Sequence, residues 1–280
     1  MISPEACHNT TDRLASSMSA AMNIPTQNIR VFVDEDAAGP NVLQAISDYS
    51  ATVGPQDEIL MYVTGHGAPY ADWVNAWVQD AGMREMMAEL RPRGEYLLQF
   101  WTETPDTVPG LAVVNESLMP VTRLLDAFGD FEGRLALIVE SCSSGLLLEN
   151  PDYLAQRYPF LDHLTVTSGP DQGSNLTEDE SASLFADSLS DTLASARNMT
   201  FVEVIDAAAE MTLERVVGIC ENLTISREQF SDVFPQEALP SSELLQEEVR
   251  LPTWYCHQTP ASHSFGTSFA ERMIAPEKTG

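Results

Sequence analysis

Two stretches of the chain, Ile59–Thr64 (ILMYVT) and Arg134–Glu140 (RLALIVE), hold continuous apolar runs, and the shorter Leu164–Ser168 (LTVTS) is read as a third strand of the same kind. Unbroken apolar runs of this length predict strands that are covered on both faces. Between them the period changes. In residues 10–22 (TTDRLASSMSAAM), Leu14, Met18 and Met22 recur every four positions behind a candidate N-cap at Thr11 or Asp12, and Ile24-Pro25 closes the helix. Asn41–Tyr49, Val121–Phe128 and Ala182–Ala194 predict further helices, and Gly54-Pro55 a turn. Ile29–Val33 (IRVFV) predicts a short β-branched strand that runs into the acidic turn Asp34-Glu35-Asp36. Strands alternating with helices predict an α/β domain built on a mostly parallel sheet with helices on both faces. In such sheets, ligands and chemistry collect at the carboxyl ends of the strands.

Two segments break the alternation. Residues 70–94 carry Trp73, Trp77, Met83, Met86 and Met87 at helical spacing. They predict an inserted helical excursion, a satellite core or lid on the sheet edge. From about residue 230 the chain is rich in Pro, Glu and Ser, then aromatic around Trp254-Tyr255. The expected organisation is one domain over 1–230 and a C-terminal extension over 231–280 packed on it or trailing from it.

The chain has 280 residues, with 14 Lys and Arg against 42 Asp and Glu, a formal net charge of −28. Lys278 is the sole lysine. Phosphate recognition rests on clustered Lys and Arg, so this balance argues against nucleic acid or an anionic membrane as partner. Hydrophobic residues make up 44 %, enough for the acidity to decorate a packed core. No apolar run reaches the roughly 20 residues of a membrane span, and the first residues show no basic or apolar leader. Cys7, Cys142, Cys220 and Cys256 have no C-x-x-C spacing, which leaves a Cys220–Cys256 bridge open. Five of the ten asparagines, Asn9, Asn115, Asn175, Asn198 and Asn222, head N-x-[ST] sequons. A glycosylated protein in a secreted, lumenal or periplasmic setting fits that density, and so does an acidic surface adapted to salt.

The chemistry concentrates after two of the strands. Gly65-His66-Gly67 follows Ile59–Thr64, and Ser141-Cys142-Ser143-Ser144-Gly145 follows the run that ends at Glu140. A thiol becomes a strong nucleophile once a base takes its proton, and an imidazole is the natural base. Flanking glycines let the backbone approach a substrate and turn N–H groups toward a developing oxyanion.

At these residues the chain resembles the caspase-like cysteine peptidases. Within them it is most similar to the legumain family, which includes the catalytic subunit of glycosylphosphatidylinositol transamidase. Three blocks carry the resemblance: Glu5-Ala6-Cys7-His8 with residues 23–36, residues 57–67 around His66, and residues 135–145 around Cys142. Thr167-Ser168-Gly169-Pro170-Asp171 and Ser183-Leu184-Phe185 are similar to the family's next strand and helix, so the likeness spans roughly residues 5–195. It implies a caspase-like three-layer α/β/α fold with a mostly parallel sheet. The family's first, central strand is expected to be missing from this chain, because Met1-Ile2-Ser3-Pro4 stands in its place. The resemblance implies Cys142 as nucleophile and His66 as general base and acid, with the N–H groups of Gly67 and Cys142 as the oxyanion hole. It also places Glu140 and Asp171 on the pocket for the residue preceding the cut, which would favour a basic, Asn or Asp side chain there. The Arg-His pair of the legumain pocket has no counterpart, which bears on Asn specificity. Hydrolysis and transpeptidation share the same acyl-thioenzyme, and the expected partner is a peptide or protein.

Two other readings use the same residues. Ser141–Gly145 is one residue away from a G-x-S-x-G nucleophile elbow, so Ser143 could serve a serine esterase with Asp171 and either His257 or His263. The domain could also be an inactive, binding form of the caspase-like fold. No cofactor or metal is expected: the five histidines lack H-x-x-x-H or H-x-E pairing, and neither an EF-hand nor a phosphate-binding glycine loop is present.

Overall fold

A computed structural model describes residues 4–69, 96–99, 118–170, 172–177, 181–222, 224–226, 248–250 and 258–274. In chain order its strands are β1 (Glu58–Thr64), β2 (Gly67–Pro69), β3 (Tyr96–Gln99), β4 (Leu118–Pro120), β5 (Arg134–Glu140), β6 (Leu161–Val166), β7 (Met199–Thr200), β8 (Thr224–Ser226), β9 (Glu248–Arg250), β10 (Ala261–Ser264) and β11 (Met273–Ile274). At the centre β1, β5, β6 and β10 form a four-stranded sheet in that spatial order. The first three strands are parallel, and β10 runs antiparallel to β6 at the edge.

Successive side chains of β5 point to opposite faces, and both faces are covered, which is why RLALIVE shows no alternation in polarity. Leu135, Leu137 and Val139 pack against Val42 and Ile46 of α2 (Gly39–Ser50), Leu124 and Leu125 of α3 (Val121–Asp126), and Leu154 of α4 (Pro151–Arg157). Ala136 and Ile138 face the second layer, formed by α1 (Pro4–Met22), α5 (Leu184–Ser195) and α6 (Phe201–Asn222). Three layers result, with the sheet in the middle. The second helical layer is tied on its outer side by charge. Asp187 and Asp191, one turn apart on α5, each bind both Arg13 of α1 and Arg215 of α6. Sharing of two carboxylates by two guanidinium forks favours one relative placement of the three helices.

Several expectations shift once tertiary partners are known. Residues 29–33 are bounded by 3-10 turns at Thr26–Asn28 and Asp34–Ala37, and Ile29 and Val33 have extended backbone, but they form no strand. A strand needs a neighbour for its N–H and C=O groups, and among the described residues this segment has no ladder partner. The third parallel strand begins at Leu161 rather than Leu164. Asp162 and His163 conceal its start in the sequence, yet both are buried. The helix at the N-terminus begins at Pro4, and α6 is a helix the apolar pattern did not single out. The expected excursion at 70–94 lies outside the described residues. Of the C-terminal extension, residues 258–274 supply β10 and bury Phe269 and Ile274 in the second helical layer.

His163 shows how β6 tolerates a polar start. It is fully buried, its ring nitrogens lie 3.0 Å from the hydroxyls of Ser264 and Thr165, and its ring meets Phe201 edge to face. Burial pulls its pKa down to about 4, against an opposing contribution from Asp162, and nearby His263 adds to the lowering. Linkage gives the direction. Above pH ~6.5 the ring is neutral in both states; between there and about 4 the unfolded chain takes a proton that the native state refuses. Acidification from pH 7 to 4 should therefore cost about 3 kcal/mol through this residue. Urea unfolding of the wild type and of His163→Gln at pH 7 and pH 5 checks it. The neutral amide should flatten the acid-side loss, and equal slopes in the two proteins would show that His163 does not titrate in this way.

Candidate active site

The site is set by register. Parallel pairing of β1 with β5 aligns Thr64 with Glu140, and Gly65 N–H continues the ladder to the Glu140 carbonyl at 3.3 Å. His66 and Cys142 each lie two residues beyond that aligned pair. Neighbouring strands are about 4.8 Å apart, so the two chains leave the carboxyl rim from adjacent positions.

Beyond Glu140 the chain turns sharply. Ser143 adopts the left-handed conformation (φ 56°), and a 3-10 turn comes next over Ser144–Leu148. Hydroxyls and backbone groups hold this turn. The Ser168 hydroxyl donates to the Ser141 carbonyl at 2.8 Å, and Ser144 Oγ accepts from the N–H groups of Thr167 and Ser168. Ser143 N–H donates to the Gln172 carbonyl at 2.8 Å. The Cys142 side chain is half-buried and free of disulfide, and its sulfur accepts the Ser174 N–H at 3.4 Å. The loop that supplies this donor is braced in turn. Gln258, fully buried, accepts from the Asn175 backbone and side chain, while Gln172 Oε1 accepts from Gly169 and Thr259. Residues far along the chain thus hold the loop against the cysteine.

His66 is exposed, and desolvation of its ring lowers its pKa from the ordinary value, which favours the neutral form needed by a base. Gly67 opens a small antiparallel sheet of β2 (Gly67–Pro69), β3 (Tyr96–Gln99) and β4 (Leu118–Pro120). A side chain is barred at Gly67: a Cβ there would lie 2.6 Å from Tyr96 Cζ and 2.9 Å from Ser141 Oγ.

The Glu140 carboxylate is buried and paired. It is 1 % exposed, one oxygen accepts the Tyr62 hydroxyl, and the other accepts the Phe185 N–H at 3.1 Å. It therefore ties the end of β5 to the first turn of α5, where a carboxylate satisfies a helix N–H that has no partner within the helix. Burial raises its pKa, against the lowering effect of these hydrogen bonds. Asp171 and His257 lie outside the described residues. His263 pairs with Leu164 on β6, which is level with Leu137 of β5. That is three residues, about 10 Å, short of the end of β5 and two strands away from it.

Among the described residues, no group of three or more His, Cys, Asp or Glu is arranged to hold a metal ion. None of the helices among them is long and apolar enough to cross a membrane. Of the sequons, Asn9 and Asn198 are exposed, whereas Asn175 is half-buried against Gln258. Cys7 is free and half-buried, and burial, then the nearby Asp34, raises its pKa.

No sequence family matches the chain. No curated protein matches it either. Among solved structures it is similar to protein GSU0716 from Geobacter sulfurreducens, with a TM-score of 0.49 and 13 % identity over 97 % of this chain and 84 % of that one. It is likewise similar to caspase-1 from Spodoptera frugiperda, with a TM-score of 0.49 and 13 % identity over 100 % of this chain and 85 % of that one.

Proposed function

We propose that the chain is a cysteine peptidase in which Cys142 attacks the scissile carbonyl and His66 moves the proton. The observation that supports this reading is the in-register pairing of β1 and β5, which aligns Thr64 with Glu140, so that His66 and the half-buried Cys142 each follow two residues beyond one aligned pair. His66 takes the thiol proton as sulfur attacks the carbonyl carbon. The oxyanion forms beside the N–H groups of Gly67 and Cys142, and the same imidazole then delivers its proton to the departing amine. Water, or another amine, releases the acyl group from sulfur by the reverse path, so hydrolysis and transpeptidation are two fates of one intermediate. In this reading the substrate is a peptide or protein. Glu140 holds the fold beneath the site, and Asp171 is the remaining carboxylate for a basic, Asn or Asp side chain before the cut.

A peptide acyloxymethyl ketone tests the assignment directly. Label and peptide hydrolysis should fall by roughly 1,000-fold or more in Cys142→Ala and persist in Ser143→Ala. Retention of both in Cys142→Ala, or a fluorophosphonate adduct on Ser143, would overturn it in favour of the serine reading.

A further inference from the structure

Tyr96 is remote in sequence from both reactive residues, and its hydroxyl lies where their loops meet. The residue is 2 % exposed on β3. Its oxygen is 2.6 Å from Ser141 Oγ and is bonded to the Cys142 carbonyl oxygen. It is also the group that a side chain at Gly67 would strike. The direction of the hydrogen bonds is fixed by chemistry. A carbonyl can only accept, so the single Tyr96 proton goes to Cys142, and Ser141 must donate its own proton to the Tyr96 oxygen. The chain runs from the Ser141 hydroxyl to the Tyr96 hydroxyl to the Cys142 carbonyl, and the Tyr96 oxygen serves one donor and one acceptor.

This arrangement pins the backbone on each side of the cysteine. Ahead of it, the Ser141 carbonyl is held by Ser168. After it, the peptide unit joining Cys142 to Ser143 is held at its oxygen by Tyr96 and at its nitrogen by Gln172. With both peptide planes fixed, the direction of the Cys142 N–H is fixed as well. The same tyrosine sits against Gly67, whose N–H is the second proposed oxyanion donor.

Resting on the cysteine-peptidase reading, we infer that Tyr96 is a positioning residue that sets the spacing of the two oxyanion donors. Its hydroxyl acts through Ser141 and the Cys142 carbonyl. Its effect is therefore confined to the step in which negative charge builds on the carbonyl oxygen. Binding of the substrate and intrinsic reactivity of the thiol toward a small alkylating reagent do not need that spacing.

Tyr96→Phe removes one oxygen and keeps the buried ring. The expected result is a 10- to 100-fold fall in kcat on a fluorogenic peptide, with KM within twofold of wild type. The second-order rate of Cys142 alkylation by iodoacetamide should stay within threefold, and the urea midpoint should stay close to that of wild type. Ser141→Ala added to Tyr96→Phe should lower kcat by less than twofold further, because Ser141 acts through the same hydroxyl. Three outcomes would overturn the inference: kcat within threefold of wild type in Tyr96→Phe, a parallel fall of kcat, alkylation and unfolding midpoint, or full additivity of the two substitutions. Failure of the underlying reading is distinguishable, since it would appear as activity that survives Cys142→Ala.

Discussion

Alanine at Gly145 should destabilise the protein by about 2–3 kcal/mol and suppress labelling of Cys142, although it adds a single methyl group. A Cβ there would lie 2.8 Å from three backbone atoms, the Ser168 oxygen, the Gly169 carbonyl carbon and the Pro170 nitrogen. A crowding side chain can change rotamer; two backbone segments pressed together cannot. Relief requires the turn over Ser144–Leu148 to move off the loop after β6. That movement would strain the Ser144–Ser168 hydrogen bonds and the Ser143 N–H bond to Gln172. Stability and chemistry are thus coupled at this glycine, because the packing it permits is also what holds the cysteine turn. Urea unfolding and ketone labelling of Gly145→Ala check both parts. Stability within about 0.5 kcal/mol of wild type, with labelling intact, would mean the loop yields freely.

Glu140→Ala should be comparably damaging, at about 3 kcal/mol, for a different reason. Truncation leaves the Tyr62 hydroxyl and the Phe185 N–H buried without their acceptor and opens a cavity under the first turn of α5. Glu140→Gln should cost much less, since its amide oxygen can still accept from Phe185 and its nitrogen can donate to Tyr62. The pair of variants also tests the carboxylate's place in specificity. If Glu140 serves the fold, Glu140→Gln keeps the wild-type preference across a panel of peptides with Asn, Asp, Arg and Lys before the cut. Loss of preference for cationic residues in that variant would return Glu140 to the pocket. The pH behaviour of this group opposes that of His163. With its pKa raised in the fold, the native state holds the Glu140 proton to higher pH than the unfolded chain does, so its contribution to stability declines as pH rises. Glu140→Gln should consequently show a steeper loss on acidification than wild type, with the His163 contribution unopposed.

The class of fold and the two strands that matter most are legible in the order of residues. RLALIVE is apolar at nearly every position because helices cover both faces of the sheet there, and such composition is visible without coordinates; ILMYVT, equally apolar, lies on the edge strand β1 and is half-buried throughout. Placement of Gly65-His66-Gly67 and Ser141-Cys142 just beyond those strands was equally legible, since neighbouring parallel strands deliver the residues at their carboxyl ends to one rim. Tertiary structure alone decided the rest. Residues 29–33 have the composition of a strand, but pairing is a property of two segments, and composition describes one. Asp162 and His163 begin a strand because Ser264, Thr165 and the N–H of Phe269 satisfy them inside. A single sequence names none of those partners. Glu140 stands two residues before the cysteine, yet its carboxylate turns to Tyr62 and Phe185, and that direction depends on where α5 packs. Tyr96 carries no local signal at all. Its hydroxyl reaches the cysteine turn only because β3 folds back beside Gly67, 45 residues from Ser141 along the chain. Local periodicity reports which faces are buried; the identity of the atoms that meet there is settled by the packing of segments distant in the chain.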